Sequence, residues 1–200
     1  MTEPAYRLDL PANESWPRQG DWTYEDHRRL PADGNRYEVI RGSLFVTPAP
    51  NFKHQFVVVK LGRFFDHFVS EGELGVVLTA PFDILLPAGI ASPVEPDLVF
   101  FRPGNAPHWE DKSFRGVPDL VLEVLSPSTR SRDRRVKLRA YQDAGIPEYW
   151  MVDPDSRTVA VYILKTGGGY VELCHGETGE RVRSAALPGF EIAVADLFPR

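Results

Sequence analysis

The chain has 200 residues, 42% of them hydrophobic and 26% charged, with a net charge of −5, which suits one domain with a substantial core. No apolar run approaches the ~18–20 residues needed to cross a bilayer, and the single cysteine, Cys174, excludes internal disulfides and a multi-cysteine zinc site. The acidic balance lacks the basic face usual for a nucleic-acid binder, apart from one local excess described below.

Residues 1–21 contain three prolines and no periodicity, so an irregular N-terminal arm is expected there and a single domain over 22–200. No basic region followed by an apolar stretch opens the chain, so no secretory signal is expected and a cytoplasmic location is the default. Thr23 to Leu30 suits a short helix capped by Thr23, with Asp26 as its N3 acid. RYEVIRGSLFVTP reads as two strands about a turn at Arg41-Gly42. Asn51 then caps a long amphipathic helix to about Glu71, with Phe52, Phe56, Val59, Phe64 and Phe68 near helical spacing.

GVVLTAPFDILLP is extended and bent at Pro81, and Pro96 to Phe101 is a short strand. Asp119 to Leu125 has the continuous apolar character of a buried strand. A helix follows from about Ser131 to Ala144, closed by Gly145 and Pro147. EYWMVDP and TVAVYIL are two strands about a turn, and Gly167-Gly168-Gly169 forms the next hairpin, not a phosphate loop, since no helix with a Lys-Ser/Thr pair follows. Helix, strands, long helix, central strands, crossover helix and more strands together predict an α/β domain whose mixed sheet is flanked by helices.

PDLV occurs twice, at Pro96–Val99 and at Pro118–Val121. Metal-assisted phosphodiester cleavage needs carboxylates for a hard cation such as Mg²⁺ or Mn²⁺ and a lysine as a point charge on water or phosphate. Asp97 heads the apolar strand Leu98–Phe101, and Glu123 lies within an apolar one, where an unpaired charge is costly. Asp119 shares a face with Glu123 but stands ~13 Å away along the strand, too far to share one ion. Asp97 meets Glu123 if their strands are neighbours. Asp119 therefore reads as a strand-entry residue, and the first PDLV as the chemical copy. Asp83 is another acid among apolar neighbours and joins the candidate metal ligands.

RSRDRRVKLR, residues 130–139, carries six Lys/Arg and one Asp. Arg132, Arg134 and Arg135 are the candidates for phosphate contacts from this helix, with the plain alternative of a solvated face. His54, in the first turns of the long helix, is a further candidate phosphate contact. Asp133, Lys137 and Tyr141 fall on one stripe by i,i+4 spacing, while Tyr141 and Trp150 read as core aromatics.

EPDLVF and LVLEVLSPSTRSRDRRVKLRAYQDAGIPEYWMVDP, with YEVIRGSLFVTPAP, His54 and APFDILL upstream, resemble the Uma-type restriction endonuclease family of the PD-(D/E)XK nuclease superfamily, over about residues 22–165. The resemblance implies a restriction-endonuclease-like fold, DNA as substrate, a divalent cation, and a homodimer. It makes Asp97 and Glu123 the motif acids and Glu38 the upstream acid. The superfamily lysine position is Leu125 here; in this family a lysine on the following helix takes its place, and Lys137 matches it. Two other readings stay open: a catalytically silent nuclease fold that binds or regulates, and an enzyme acting on RNA or nucleotides.

Overall fold

Strand alternation, helical spacing and turn chemistry account for most elements of the computed structural model, which describes residues 15–87, 89–107, 111–127 and 129–199. In chain order these are α1 (Tyr24–His27), β1 (Arg36–Ile40), β2 (Ser43–Thr47), α2 (Phe52–Glu71), β3 (Val76–Thr79), β4 (Asp83–Leu85), β5 (Leu98–Phe101), β6 (Ser113–Arg115) and β7 (Leu120–Val124). The chain continues through α3 (Arg130–Arg132), a π-helical turn (Asp133–Lys137), α4 (Leu138–Ala144), β8 (Glu148–Asp153), β9 (Thr158–Leu164), β10 (Tyr170–Gly176), β11 (Arg181–Arg183), β12 (Glu191–Ala193) and a 3₁₀ turn (Val194–Leu197). Most of the expected N-terminal arm, residues 1–14, lies outside the described residues. Residues 15–21 contain no helix or strand, and Gly20 N donates to Gly42 O at 2.8 Å.

Six strands form the central sheet in the order β10-β9-β8-β7-β5-β3. Within this sheet only β7 and β8 pair in parallel. A parallel pair needs a crossover, and the basic segment from α3 to α4 supplies it. The α4 helix stops at Gly145, whose φ of 83° takes the left-handed conformation that suits glycine at a helix end. Antiparallel β1 and β2 form a separate hairpin. Arg41 and Gly42 turn it with φ of 50° and 70°, the positive pair that a tight two-residue turn requires.

Each face of the central sheet carries its own core. On one side Leu98, Phe100, Leu120, Leu122 and Trp150 pack against α2 and the C-terminal strands; on the other Val99, Phe101, Val121, Tyr149 and Met151 pack against α4. The two sets alternate along β5, β7 and β8, as pleated strands require. Among the described residues, no helix is long and apolar enough to cross a membrane.

The α2 helix forms where expected, but its phase differs. His54, Val57, Leu61, Phe65 and Val69 are buried, whereas Phe52 is 76% and Val59 68% exposed. Phe64 and Phe68 pack partly against the core. The helix carries large apolar groups on nearly every side, so aromatic spacing alone selects the wrong stripe. The continuous Val57–Leu61–Phe65–Val69 ridge faces the sheet instead, with Phe65 edge-on to Trp150 at 5.3 Å.

Candidate active site

The β5–β7 pairing aligns the two motif acids. Leu98 pairs with Leu122 in antiparallel register, so Asp97 stands opposite Glu123 one step further along. The Asp97 side chain continues the ladder: its Oδ2 accepts from Val124 N at 2.8 Å. The same oxygen lies 3.1 Å from His54 Nε2, and Oδ1 accepts from Arg36 Nη1 at 2.8 Å. His54 is brought there by the first turn of α2, where Asn51 Oδ1 caps the helix by accepting from His54 N.

Behind Asp97, Lys137 is completely buried. Its ammonium lies 2.8 Å from Glu38 Oε1 and 2.8 Å from Glu123 Oε1, with Asp133 Oδ1 at 3.9 Å. Glu123 Oε1 also accepts from Tyr141 OH at 2.5 Å, and Glu38 Oε1 from Glu95 N at 3.0 Å. Arg132 stands 3.5 Å from Glu38 Oε2 and donates to Thr47 Oγ1 at 2.7 Å. Lys137 ends the π-helical turn of the crossover, a local widening of the helix that recurs at functional sites. Four buried carboxylates, on Glu38, Asp97, Glu123 and Asp133, thus share three permanent cations, on Arg36, Arg132 and Lys137.

That imbalance sorts their protonation. Burial disfavours the Asp97 carboxylate, but the His54 hydrogen bond and the Arg36 charge outweigh it and hold the group well below the usual range. Burial also opposes charge on Glu38, yet Lys137, Arg132 and Arg36 draw it down to about 2. Glu123 goes the other way. Burial pushes it up against the pull of Lys137, the neighbouring acids push it further, and it reaches about 8. Lys137 remains charged, because its three carboxylates overcome the burial that would lower it. In this state Lys137 is a hydrogen-bond donor and point charge, not a proton acceptor.

A cleft of about 600 Å³ opens onto this cluster, lined among others by Arg36, His54, Glu95, Asp97, Ser126 and Thr129. Asp97 is the motif acid at its wall, while Glu123 and Lys137 lie behind it. Other expected site residues are placed differently. Asp83 starts β4 in a small sheet with β6, and lines a second hollow with His27 and Glu95, apart from Glu123 and Lys137. Arg132 is buried and turned inward, so it is not a surface phosphate contact. Arg134 pairs with Asp153 at 3.3 Å, whereas Arg135 is exposed. Asp119 Oδ2 accepts from Arg102 N at 2.9 Å and Asn105 Nδ2 at 2.8 Å. It thereby fastens the turn after β5.

Three contributors escape sequence reading. Arg36 precedes the first hairpin strand with no motif around it, and Glu95 is hidden beside the more conspicuous Asp97. Tyr141 is a core aromatic whose hydroxyl also serves Glu123. Only its place on the Asp133–Lys137 stripe hinted at that second role.

The family model that matches the chain, over residues 24–195, is Uma2, described as "Putative restriction endonuclease". No curated protein matches. Among solved structures, a "putative nuclease belonging to DUF820 from Anabaena variabilis" is similar, with a TM-score of 0.72 and 20% identity, covering 88% of this chain and 97% of that one. At that identity the likeness speaks for the fold, which is the mixed α/β fold of a nuclease. With the family match spanning most of its length, the chain belongs to the Uma2 restriction endonuclease family.

Proposed function

We propose that the protein is a metal-dependent phosphodiester hydrolase that cleaves DNA, with Asp97 and Glu123 as the metal ligands, Glu38 as their support and Lys137 as the charged donor. The observation that carries this reading is the convergence of Glu38 and Glu123 on one buried lysine, with Asp97 opposite Glu123 in the strand register and at the wall of an open cleft. The donor set fits Mg²⁺ or Mn²⁺. Every candidate ligand atom is a carboxylate oxygen, and one or two carboxylates with water and substrate phosphate suffice for Mg²⁺. The buried Glu38 Oε2 and Asp133 Oδ1 have no hydrogen-bond donor, and the surplus negative charge favours an added cation. Among the described residues, no three His, Cys, Asp or Glu side chains form a ready metal cage, so water and phosphate would complete the shell.

When bound, the ion supplies Lewis acidity and lowers the pKa of a bound water. The chain's own residues do the rest. Asp97, held ionised by His54 and Arg36, is the motif acid that lines the cleft. Lys137, held charged by Glu123, Glu38 and Asp133, is a buried positive charge behind the motif acids, and its field favours negative charge developing on a phosphate in the cleft. Tyr141 keeps its proton, since burial and the nearby Glu123 raise it well above the usual tyrosine range, and fixes the Glu123 carboxyl in place.

A nuclease fold that holds nucleic acid without cutting it is the second reading, favoured by one observation. Arg36 already occupies Asp97 Oδ1, the sort of charge an ion would otherwise neutralise. Thermal melting with Mg²⁺ or Mn²⁺, together with cleavage of plasmid and single-stranded DNA, separates the two. Under the first reading the ion raises the melting temperature of the wild type, leaves Asp97→Asn where it was, and supports cleavage only by the wild type. Equal shifts in both proteins with no cleavage favour the second.

A further inference from the structure

The outer face of α2 presents apolar groups that no core requires. Phe52 and Val59 stand open to solvent, and with the half-buried Phe56 they recur at i, i+4 and i+7, so they form one stripe. Asn51, His54 and Gln55, from the same turns, line the cleft, so the stripe begins at the rim of the candidate active site. The Phe52 and Phe56 rings lie 6.1 Å apart, inclined by 44°. Lys60 Nζ stands 5.5 Å over the Phe56 ring.

The charge along these turns has one sign. From Phe52 to Phe65 the helix carries Lys53, which pairs with Asp155 from another element at 3.4 Å, Lys60 and Arg63, and no acid of its own, although the chain as a whole is acidic. Accessible aromatic faces interleaved with cations are what an unpaired strand recognises, because each base has a π-face to stack and each linkage a phosphate to neutralise. A duplex keeps its bases stacked on one another and offers phosphates and groove edges but no open base face for a ring to stack on. Pairing of the stripe with its own copy about a two-fold axis would bring like charges together across the interface.

We infer that Phe52 and Phe56 form a stacking ledge for the bases of single-stranded nucleic acid led into the cleft, with Lys60 and Arg63 on its phosphates. The direction of the strand, into the cleft, rests on the nuclease reading.

The test is fluorescence anisotropy of the full chain with a labelled oligothymidylate of ~16 nucleotides and a duplex of equal length. EDTA is present throughout, so neither cleavage nor a metal enters. Phe52→Ala should weaken single-strand binding about tenfold, the order of one lost base stack, and leave duplex binding within about twofold. Phe52→Trp should retain single-strand affinity, and its indole fluorescence should be quenched by the oligonucleotide. Neutralising Lys60 and Arg63 together should reduce the single-strand salt slope by about 1.4. Phe52 is exposed, so melting temperatures should be unchanged, which separates binding from folding.

Unchanged single-strand affinity in Phe52→Ala, or equal loss for both substrates, overturns the ledge. So does sedimentation in which Phe52→Ala splits a dimer while oligonucleotide affinity stays put, since the stripe would then be a self-association face. A wild type that binds in the expected pattern but cuts nothing with Mg²⁺ or Mn²⁺ keeps the ledge and sinks the nuclease reading. A wild type that cuts, with Phe52 making no difference, does the reverse.

Discussion

Glu123 on β7 and Glu148 on β8 sit on neighbouring parallel strands, and each is 1% exposed. They face opposite sides of the sheet and meet opposite kinds of partner. Glu148 is surrounded by neutral donors: Trp150 Nε1 and Ser184 Oγ reach Oε1, both at 2.6 Å, and Ala185 N and Ala186 N reach Oε2, both at 2.7 Å. Those bonds tie the segment after β11 to the sheet. Glu123 shares one ammonium with Glu38 and takes a tyrosine hydroxyl, with Asp97 and Asp133 close enough to push its proton affinity up. Burial alone therefore does not mark a functional acid. A buried carboxylate saturated by neutral donors closes a fold, whereas one left competing for too few cations is poised to take another.

The largest expected effect sharpens this contrast in activity. Asp97→Asn and Lys137→Met should each lower the metal-dependent cleavage rate by about a thousandfold, as loss of a preorganised charge at the reacting centre does. Glu148→Gln should stay within about threefold. Lys137→Met also leaves buried acids without their cation and costs about 3–5 kcal/mol, so rates are compared per folded molecule, on one substrate. If Glu148→Gln is as dead as Asp97→Asn, the contrast fails.

Stability should rank the two glutamates the other way. Glu148→Ala strands four donors and should cost about 3–5 kcal/mol, lowering the melting temperature by roughly 10 °C. Glu123→Gln, which imitates the protonated acid, should cost little. Melting of the two variants near neutral pH, without divalent cations, decides it.

The pH dependence follows from the same protonation. Folded Glu123 releases its proton at about 8 instead of near 4.5. Between those values the native state holds the extra proton, so its contribution to stability is full below about 4.5 and is lost as pH rises through about 8. Glu95, raised to about 7 by burial and by the nearby Asp83, acts in the same direction. The telling quantity is therefore the difference between wild type and Glu123→Gln, which should shift in favour of the variant from pH 5 to pH 8. A constant difference would mean that Glu123 titrates normally.

The smallest effect concerns the second PDLV. Asp119→Asn keeps an oxygen for Arg102 N and Asn105 Nδ2, so it should cost under about 1 kcal/mol and retain most cleavage. An inactive, folded Asp119→Asn beside an active Asp97→Asn would assign the chemistry to the other copy.

Much of this was legible in the chain itself. The α1 capping box, the Arg41-Gly42 turn, the crossover between β7 and β8 and the glycine stop of α4 follow from local rules and stand as expected. Asp97 and Glu123 were visible as acids attached to apolar strands, and their juxtaposition needed only that β5 and β7 be neighbours. Lys137 was visible through the family resemblance and a helical stripe. The phase of α2 was not legible, because a helix apolar on most sides does not say which side meets the sheet. The inward turn of Arg132 and the capture of Arg134 by Asp153 were hidden too, since a run of basic residues looks alike whether it meets solvent or acids from distant strands.

By itself, then, the sequence determined most of the elements, their order and the acids with no apolar reason to be there, though not the short strands β6, β11 and β12, because propensity, periodicity and turn chemistry act over a few residues. The tertiary structure decided which of those acids share a cation. Arg36, Glu38, His54, Asp97, Glu123 and Lys137 come from five separate stretches of chain, and their protonation depends on distances that only sheet order and helix packing set. It also left Phe52 and Val59 facing water, because the sheet could bury only one stripe of α2 and took the one that Val57, Leu61, Phe65 and Val69 present.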